Sequence, residues 1–317
     1  MEQVLCDRNE LDSQNYLELV QIAVKENLGV SLPFMADIGH HMLTPHNNTT
    51  RTQVLLQSAL LFDNPDAEII DIGSTLEYLH TASALHRHIK EPENARRRQK
   101  HVTKLWGSEA SVLLGDYLLS ISFQILTRVG NLDVLEAISL ATQNISRGQV
   151  HEISLPTLTA TPEHWRKVTR DKIAGLFGAG AQSAAYWGKS SEATAAVLFD
   201  FGEHVGMATQ FKTDLKALEN KKLFQQKLQD RELWSPLCIL IHECLPEDSS
   251  RKITEKLQSD FNVQELCEEL WMLFKKYELS EMIQAQAVLE LKAAEKCLEH
   301  LPMDTQSLQS LTKFSLI

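Results

Sequence analysis

The sequence is poor in the residues that interrupt helices. Nine prolines are spread over 317 residues, and none falls between Pro162 and Pro236. No Asn-Gly or Asp-Gly pair marks a hairpin, and no β-rich alternating run occurs, which argues against a sheet-based fold. Cysteine is also scarce. Cys6, Cys238, Cys244, Cys267 and Cys297 are scattered, odd in number and without a CxxC pair, a pattern that fits buried thiols in a reducing compartment better than disulfides or zinc. Positive charge is outnumbered, with 31 Lys and Arg against 42 Asp and Glu, and a net charge of −11 argues against a nucleic-acid binder. No apolar run approaches the length of a membrane span. The start, Met1 to Asp7, is neither a signal peptide nor an Arg-rich transit sequence. The expected location is the cytoplasm, or the mitochondrial matrix for a mature eukaryotic form.

What remains is ordinary globular composition, 43% hydrophobic and 23% charged, in a chain long enough for a substantial core. Apolar residues recur at helical spacing, as in Val168, Ile173, Leu176 and Phe177, and again in Ala195, Ala196 and Phe199. The pattern predicts helices near 14–27, 51–62, 67–90, 107–127, 131–150, 162–187, 190–218, 228–244, 249–257, 261–275 and 277–299. The breaks carry Pro33, Pro45, Pro92, Pro156, Pro246 and Pro302, or cap-like residues such as Thr161-Pro162-Glu163. No repeat or long linker divides the chain. The expectation is an all-α protein with one large helical domain over 1–317, residues 1–13 forming a flexible N-terminus.

Several islands are more specific. One runs from Leu76 through His80-Thr81-Ala82-Ser83-Ala84-Leu85-His86-Arg87-His88-Ile89-Lys90 to Glu91, followed by Arg96-Arg97. Others are Gly107 to Leu119 with Gly115-Asp116-Tyr117, Gly148-Gln149, Asp171-Lys172, Gly206 to Leu215, and Ala294 to Leu311. In this order and spacing they resemble the trans-polyprenyl diphosphate synthase family. The first resembles its first aspartate-rich region, Gly206 to Leu215 its second, and Lys172 the lysine of its Lys-Thr pair. The resemblance implies a bundle of the isoprenoid synthase type.

In that family, Mg²⁺ ions held by two Asp-Asp-x-x-Asp sets stabilise the leaving diphosphate of an allylic substrate while isopentenyl diphosphate attacks. Here the first set reads Arg87, His88 and Glu91, and the second reads Thr213, Asp214 and Ala217. Six expected carboxylates have become two. The basic motif near the N-terminus is also eroded to Asn47-Asn48-Thr49-Thr50-Arg51-Thr52, in which only Arg51 survives. His86-Arg87-His88-Ile89 and Asp230-Arg231-Glu232-Leu233-Trp234 are similar to segments of the aspartate-less, noncatalytic subunit of heteromeric decaprenyl and solanesyl synthases. That resemblance implies no catalytic residue and no metal in this chain. It further implies a catalytic partner subunit that carries the Mg²⁺, and a polyprenyl product destined for a quinone such as ubiquinone. Arg51, His80, Arg96, Arg97, Lys172 and Gln210 are its candidate diphosphate contacts.

Two questions stay open on sequence alone. Arg87, His88, Lys90, Lys212 and Lys216 either bind a diphosphate directly in place of Mg²⁺, or form solvated helix faces with Arg87 paired to Glu91 at i+4. Ala82 and Ser83 either line a long chain tunnel or allow close helix packing. Histidines such as His40, His41, His86 and His88 lack zinc-site spacing, and the five tryptophans read as core or interface anchors. The functional expectation is an accessory subunit, with apolar surface on the 107–150 helices as its contact and a homodimer as a further assembly. The alternatives are a prenyl-diphosphate sensor or carrier, and a divergent prenyltransferase using Glu91 or Asp214 as acid or base.

Overall fold

A computed structural model describes residues 13–28, 49–87 and 99–314, and every regular element among them is helical. The elements are α1 (Ser13–Asn27), α2 (Thr50–Ala59), α3 (Ala67–Arg87), α4 (Gln99–Val129), α5 (Leu132–Ser154), α6 (Pro162–Thr169), α7 (Gly175–Trp187), α8 (Glu192–Glu219), α9 (Lys221–Gln229), α10 (Ser235–Ile239), α11 (Glu247–Gln258), α12 (Val263–Lys276), α13 (Leu279–Leu298) and α14 (Gln306–Phe314). The all-α expectation holds. The predicted breaks at Pro33, Pro45 and Pro92, together with Cys6 and His40-His41, lie outside the described residues.

Local chemistry sets the ends. Asn131, Asn220 and Asn262 each accept two backbone N–H groups at the starts of α5, α9 and α12. Thr161 caps α6 by accepting from His164 N, with Pro162 at the first helical position. The expected helix over 162–187 is interrupted by a π-helical turn at Arg170–Ala174. The expected helix over 228–244 is really α10 followed by a second π turn, Leu240–Cys244. Two helices have no counterpart in the sequence reading. One is α9, whose mostly polar run turns only Phe224, Lys227 and Leu228 inward, and the other is α14, beyond Pro302.

The core has three parts. One joins α1 to α5 through Tyr16, Leu55, Leu76, Leu118 and Ile138. A second gathers Trp165, Phe211, Phe224, Trp234, Leu270 and Phe274, in which the Phe224 and Trp234 rings stand 5.2 Å apart. The third lets α7, α8 and α13 meet around Phe177, Phe201 and Leu298, with Leu308 of α14 closing it. Glu109–Val129 in α4 is long and apolar enough to cross a membrane, contrary to the expectation that no run approached that length. Much of it is buried against α3, through residues such as Leu114, Leu118 and Ile125.

Arg166, His204 and Glu290 tie α6, α8 and α13 together. Arg166 donates to Glu290 Oε1 at 2.5 Å and to Gln286 at 2.5 Å, and His204 Nδ1 lies 2.7 Å from Glu290 Oε2. Burial pushes the Glu290 carboxyl up, but His204 and Arg166 outweigh it and hold it below its ordinary value. A depressed carboxyl contributes stability above its unfolded value and loses it as pH falls through the folded one. Glu290→Gln should therefore lower stability by about 1.5–3 kcal/mol near neutrality. The difference in Tm from the wild type should shrink as the pH drops below 4.5, the ordinary glutamate value. A gap that stays constant from pH 7 to 3.5 in thermal melts would contradict this linkage.

Candidate functional site

The described residues singled out by the sequence lie on α2 (Arg51), the C-terminal half of α3, α4 (Asp116), the end of α5, the π turn after α6 and the second half of α8. On α3, Ser83 accepts through both its carbonyl oxygen and its hydroxyl from Gln149 Nε2, at 3.0 Å each. This brings α3 and α5 together one turn before Arg87. Ala82 is buried in the core beside Leu79 and Leu85. One turn further along, His86 Nε2 comes within 3.2 Å of Asp116 Oδ1 without hydrogen-bond geometry. Gly115 leaves room for this approach, since a Cβ there would stand 2.2 Å from that nitrogen and push the His86 ring aside.

On the α5 side, Lys172 is buried and its ammonium donates to Glu152. The adjacent Asp171 accepts from Arg147 Nη2 at 2.7 Å, so the turn is clamped to α5 by two ion pairs of opposite polarity. Gly148 makes this approach possible, since a Cβ would meet Asp171 Cβ at 2.7 Å and Lys172 Cγ at 2.8 Å. Arg51 is also buried. It donates to Glu77 Oε2 at 2.6 Å, while Thr52 donates to the other oxygen at 2.5 Å.

The stretch that resembles a second aspartate-rich motif lies in the second half of α8. Asp214 is completely buried. It accepts from Ser235 Oγ at 2.6 Å, Ser235 N at 3.2 Å and Gln210 Nε2 at 2.9 Å. It therefore caps α10 from a neighbouring helix, where a carboxylate also suits the positive end of the helix dipole. Burial pushes its carboxyl up, against the Lys227 ammonium and these hydrogen bonds. Thr213 is exposed and donates to Thr209 O at 2.9 Å, and Ala217 is buried among apolar side chains. An exposed hydroxyl, a sequestered carboxyl and a methyl do not make a Mg²⁺ site. Among the described residues no three His, Cys, Asp or Glu side chains gather as metal ligands.

A sequence profile for polyprenyl synthetase matches residues 33–273. The chain belongs to the polyprenyl synthetase family. It is 28% identical to octaprenyl diphosphate synthase of Escherichia coli (strain K12) over 208 residues, which cover 65% of this chain and 64% of that one. It is 24% identical over 295 residues to a short chain isoprenyl diphosphate synthase of Methanothermobacter thermautotrophicus, covering 90% of both. The fold is shared with a decaprenyl diphosphate synthase from Rhodobacter capsulatus (TM-score 0.79, 24% identity, 99% of this chain and 96% of that chain). It is shared equally with a heptaprenyl diphosphate synthase from Staphylococcus aureus (TM-score 0.84, 18% identity, 97% and 98%).

Within this family frame, the described candidates Arg51, Lys172 and Gln210 each meet a carboxylate of the same chain. Their partners are Glu77, Glu152 and Asp214. His80 is half-buried on α3. His88, Lys90, Glu91, Arg96 and Arg97, like the side chain of Arg87, lie outside the described residues. Lys216 is exposed and Lys212 half-buried, and burial followed by the nearby Lys216 ammonium pushes Lys212 down from its ordinary value. Sequence reasoning missed Glu77, Glu152 and Ser235. Glu152 carried a usable signal, since it lies three residues after Gln149 and shares its helix face.

Asp214 and Thr213 should respond oppositely to truncation. Asp214→Ala strips α10 of its cap and leaves buried polar groups unpaired, at a cost of about 3–5 kcal/mol. Thr213→Ala should fall within about 0.5 kcal/mol. Urea unfolding checks both, and an Asp214→Ala variant as stable as the wild type would remove the capping role.

Proposed function

We propose that this chain is a noncatalytic subunit of a heteromeric trans-polyprenyl diphosphate synthase, serving isoprenoid synthesis of the kind that supplies a quinone side chain such as that of ubiquinone. The observation that carries the reading is the state of the second aspartate-rich position. Its one surviving carboxylate, Asp214, is sealed in the core as a helix cap, and its neighbours Thr213 and Ala217 offer no charge. Diphosphate ionisation needs metal-bridging oxygens facing the substrate, and the Thr213–Ala217 stretch offers only the inward-turned Asp214. The same burial argues against Asp214 as the acid or base of a divergent prenyltransferase. The degraded first position, Arg87, His88 and Glu91, supports the reading from sequence alone. A partner with intact motifs would hold the Mg²⁺ and perform the chemistry.

The scaffold supports association. Leu113 and Phe123 on α4, with Leu132, Leu140, Val150 and Ile153 on α5, are exposed large apolar side chains. On α5 the four fall within one broad stripe of the helix. Six of the ten exposed large apolar side chains among the described residues fall on these two consecutive helices. The proposed contact for a catalytic subunit, or for a second copy of this chain, is this outer face.

Coexpression with the intact-motif synthase of the same source tests the reading. The complex should yield a polyprenyl diphosphate whose amount or chain length differs from that made by the synthase alone. Leu140→Glu combined with Val150→Glu should abolish co-purification while leaving the helical circular dichroism unchanged. A synthase whose product and yield ignore this chain would sink the accessory role.

A further inference from the structure

We propose that Glu152 is a built-in counter-ion that occupies Lys172 and closes this half of the ancestral site to diphosphates in the isolated chain. The proposal rests on the accessory-subunit reading and deepens it. It says what has become of a retained cation after the metal ligands were lost.

Burial within the ion pair is asymmetric. The Lys172 side chain is 6% exposed and that of Glu152 is 24% exposed. An anion arriving from solvent therefore meets a carboxylate before it reaches the ammonium. The ammonium has little freedom to turn elsewhere. Its stem is pressed against α5 at Gly148, where even a methyl group would stand 2.8 Å from Lys172 Cγ. Glu152 lies on the same face of α5 as Gln149, which grips Ser83 of α3, so the pair lies one turn along α5 from the α3–α5 contact. A diphosphate here would have to displace Glu152 from a buried cation and then bear the repulsion of the displaced carboxylate at short range.

The neighbouring pair makes the proposal testable without dismantling the fold. Arg147 holds Asp171 independently of Lys172, so neutralising Glu152 leaves the π turn with its second clamp. Glu152→Gln also preserves shape and hydrogen-bonding reach. The charge opposite Lys172 disappears while its surroundings stay in place.

The experiment is isothermal titration of the purified full chain with inorganic pyrophosphate without Mg²⁺, comparing wild type, Glu152→Gln, Lys172→Gln, and Glu152→Gln combined with Lys172→Gln. The Glu152→Gln variant should bind at least about tenfold more tightly than the wild type, and the double variant should lose that gain. Circular dichroism verifies folding, and Glu152→Asp, which withdraws the carboxylate by one methylene, replaces the Gln variant if that one unfolds. Equal affinity in wild type and folded Glu152→Gln variant would overturn the proposal, as would a gain that survives loss of Lys172. So would wild-type binding that Lys172→Gln abolishes. Product formation by the coexpressed complex is a separate readout, so failure of the accessory-subunit reading and failure of this one are told apart.

Discussion

A charge carried into a helical core must bring its own counter-charge or polar cradle, and most of this chain's functional region follows from that constraint. Helix packing carries Arg51, Lys172, Asp214 and Glu290 inward, and all four are nearly or completely buried. Each is answered from within the chain, by Glu77, by Glu152, by Ser235 with Gln210, and by Arg166 with His204. In an enzyme that binds a polyanion, buried cations would be held ready for the ligand. Here the described ones are neutralised by the protein itself. The bundle has the fold of its family, and these buried charges are paired within the chain.

Asp214 has a structural role that needs no metal. A carboxylate at a helix N-terminus accepts orphan N–H groups and a favourable dipole, a role independent of metal. Its neighbours had no such second role. Thr213 faces solvent and turns its hydroxyl back to its own helix, and Ala217 fills apolar space.

The sequence exposed much of this architecture. Apolar spacing placed the long helices, and Thr161-Pro162 marked the start of α6. It concealed α9, because Lys221, Lys222, Gln225 and Gln226 hide the two apolar residues that turn inward. The π turns were also hidden, since their extra residue shifts helix phase without altering composition. The degraded positions were legible as residue types. Their partners were not, because Arg51 and Glu77 are 26 residues apart, Glu152 and Lys172 are 20 apart, and Asp214 and Ser235 are 21 apart. Such pairings depend on which helix faces meet, a property of the folded bundle. The outward Leu and Val residues of α5 were anticipated only as a surface between 107 and 150, and the fold assigns each to its face.

The central claim is that the isolated chain has no working ionisation site. The most direct measurement is incorporation of radiolabelled isopentenyl diphosphate by the purified chain alone, with farnesyl diphosphate and Mg²⁺ at saturating concentrations. The account predicts no product above the no-enzyme background. Sustained turnover that scales with the concentration of this chain would contradict it, and would mean that carboxylates other than Asp214 support the chemistry.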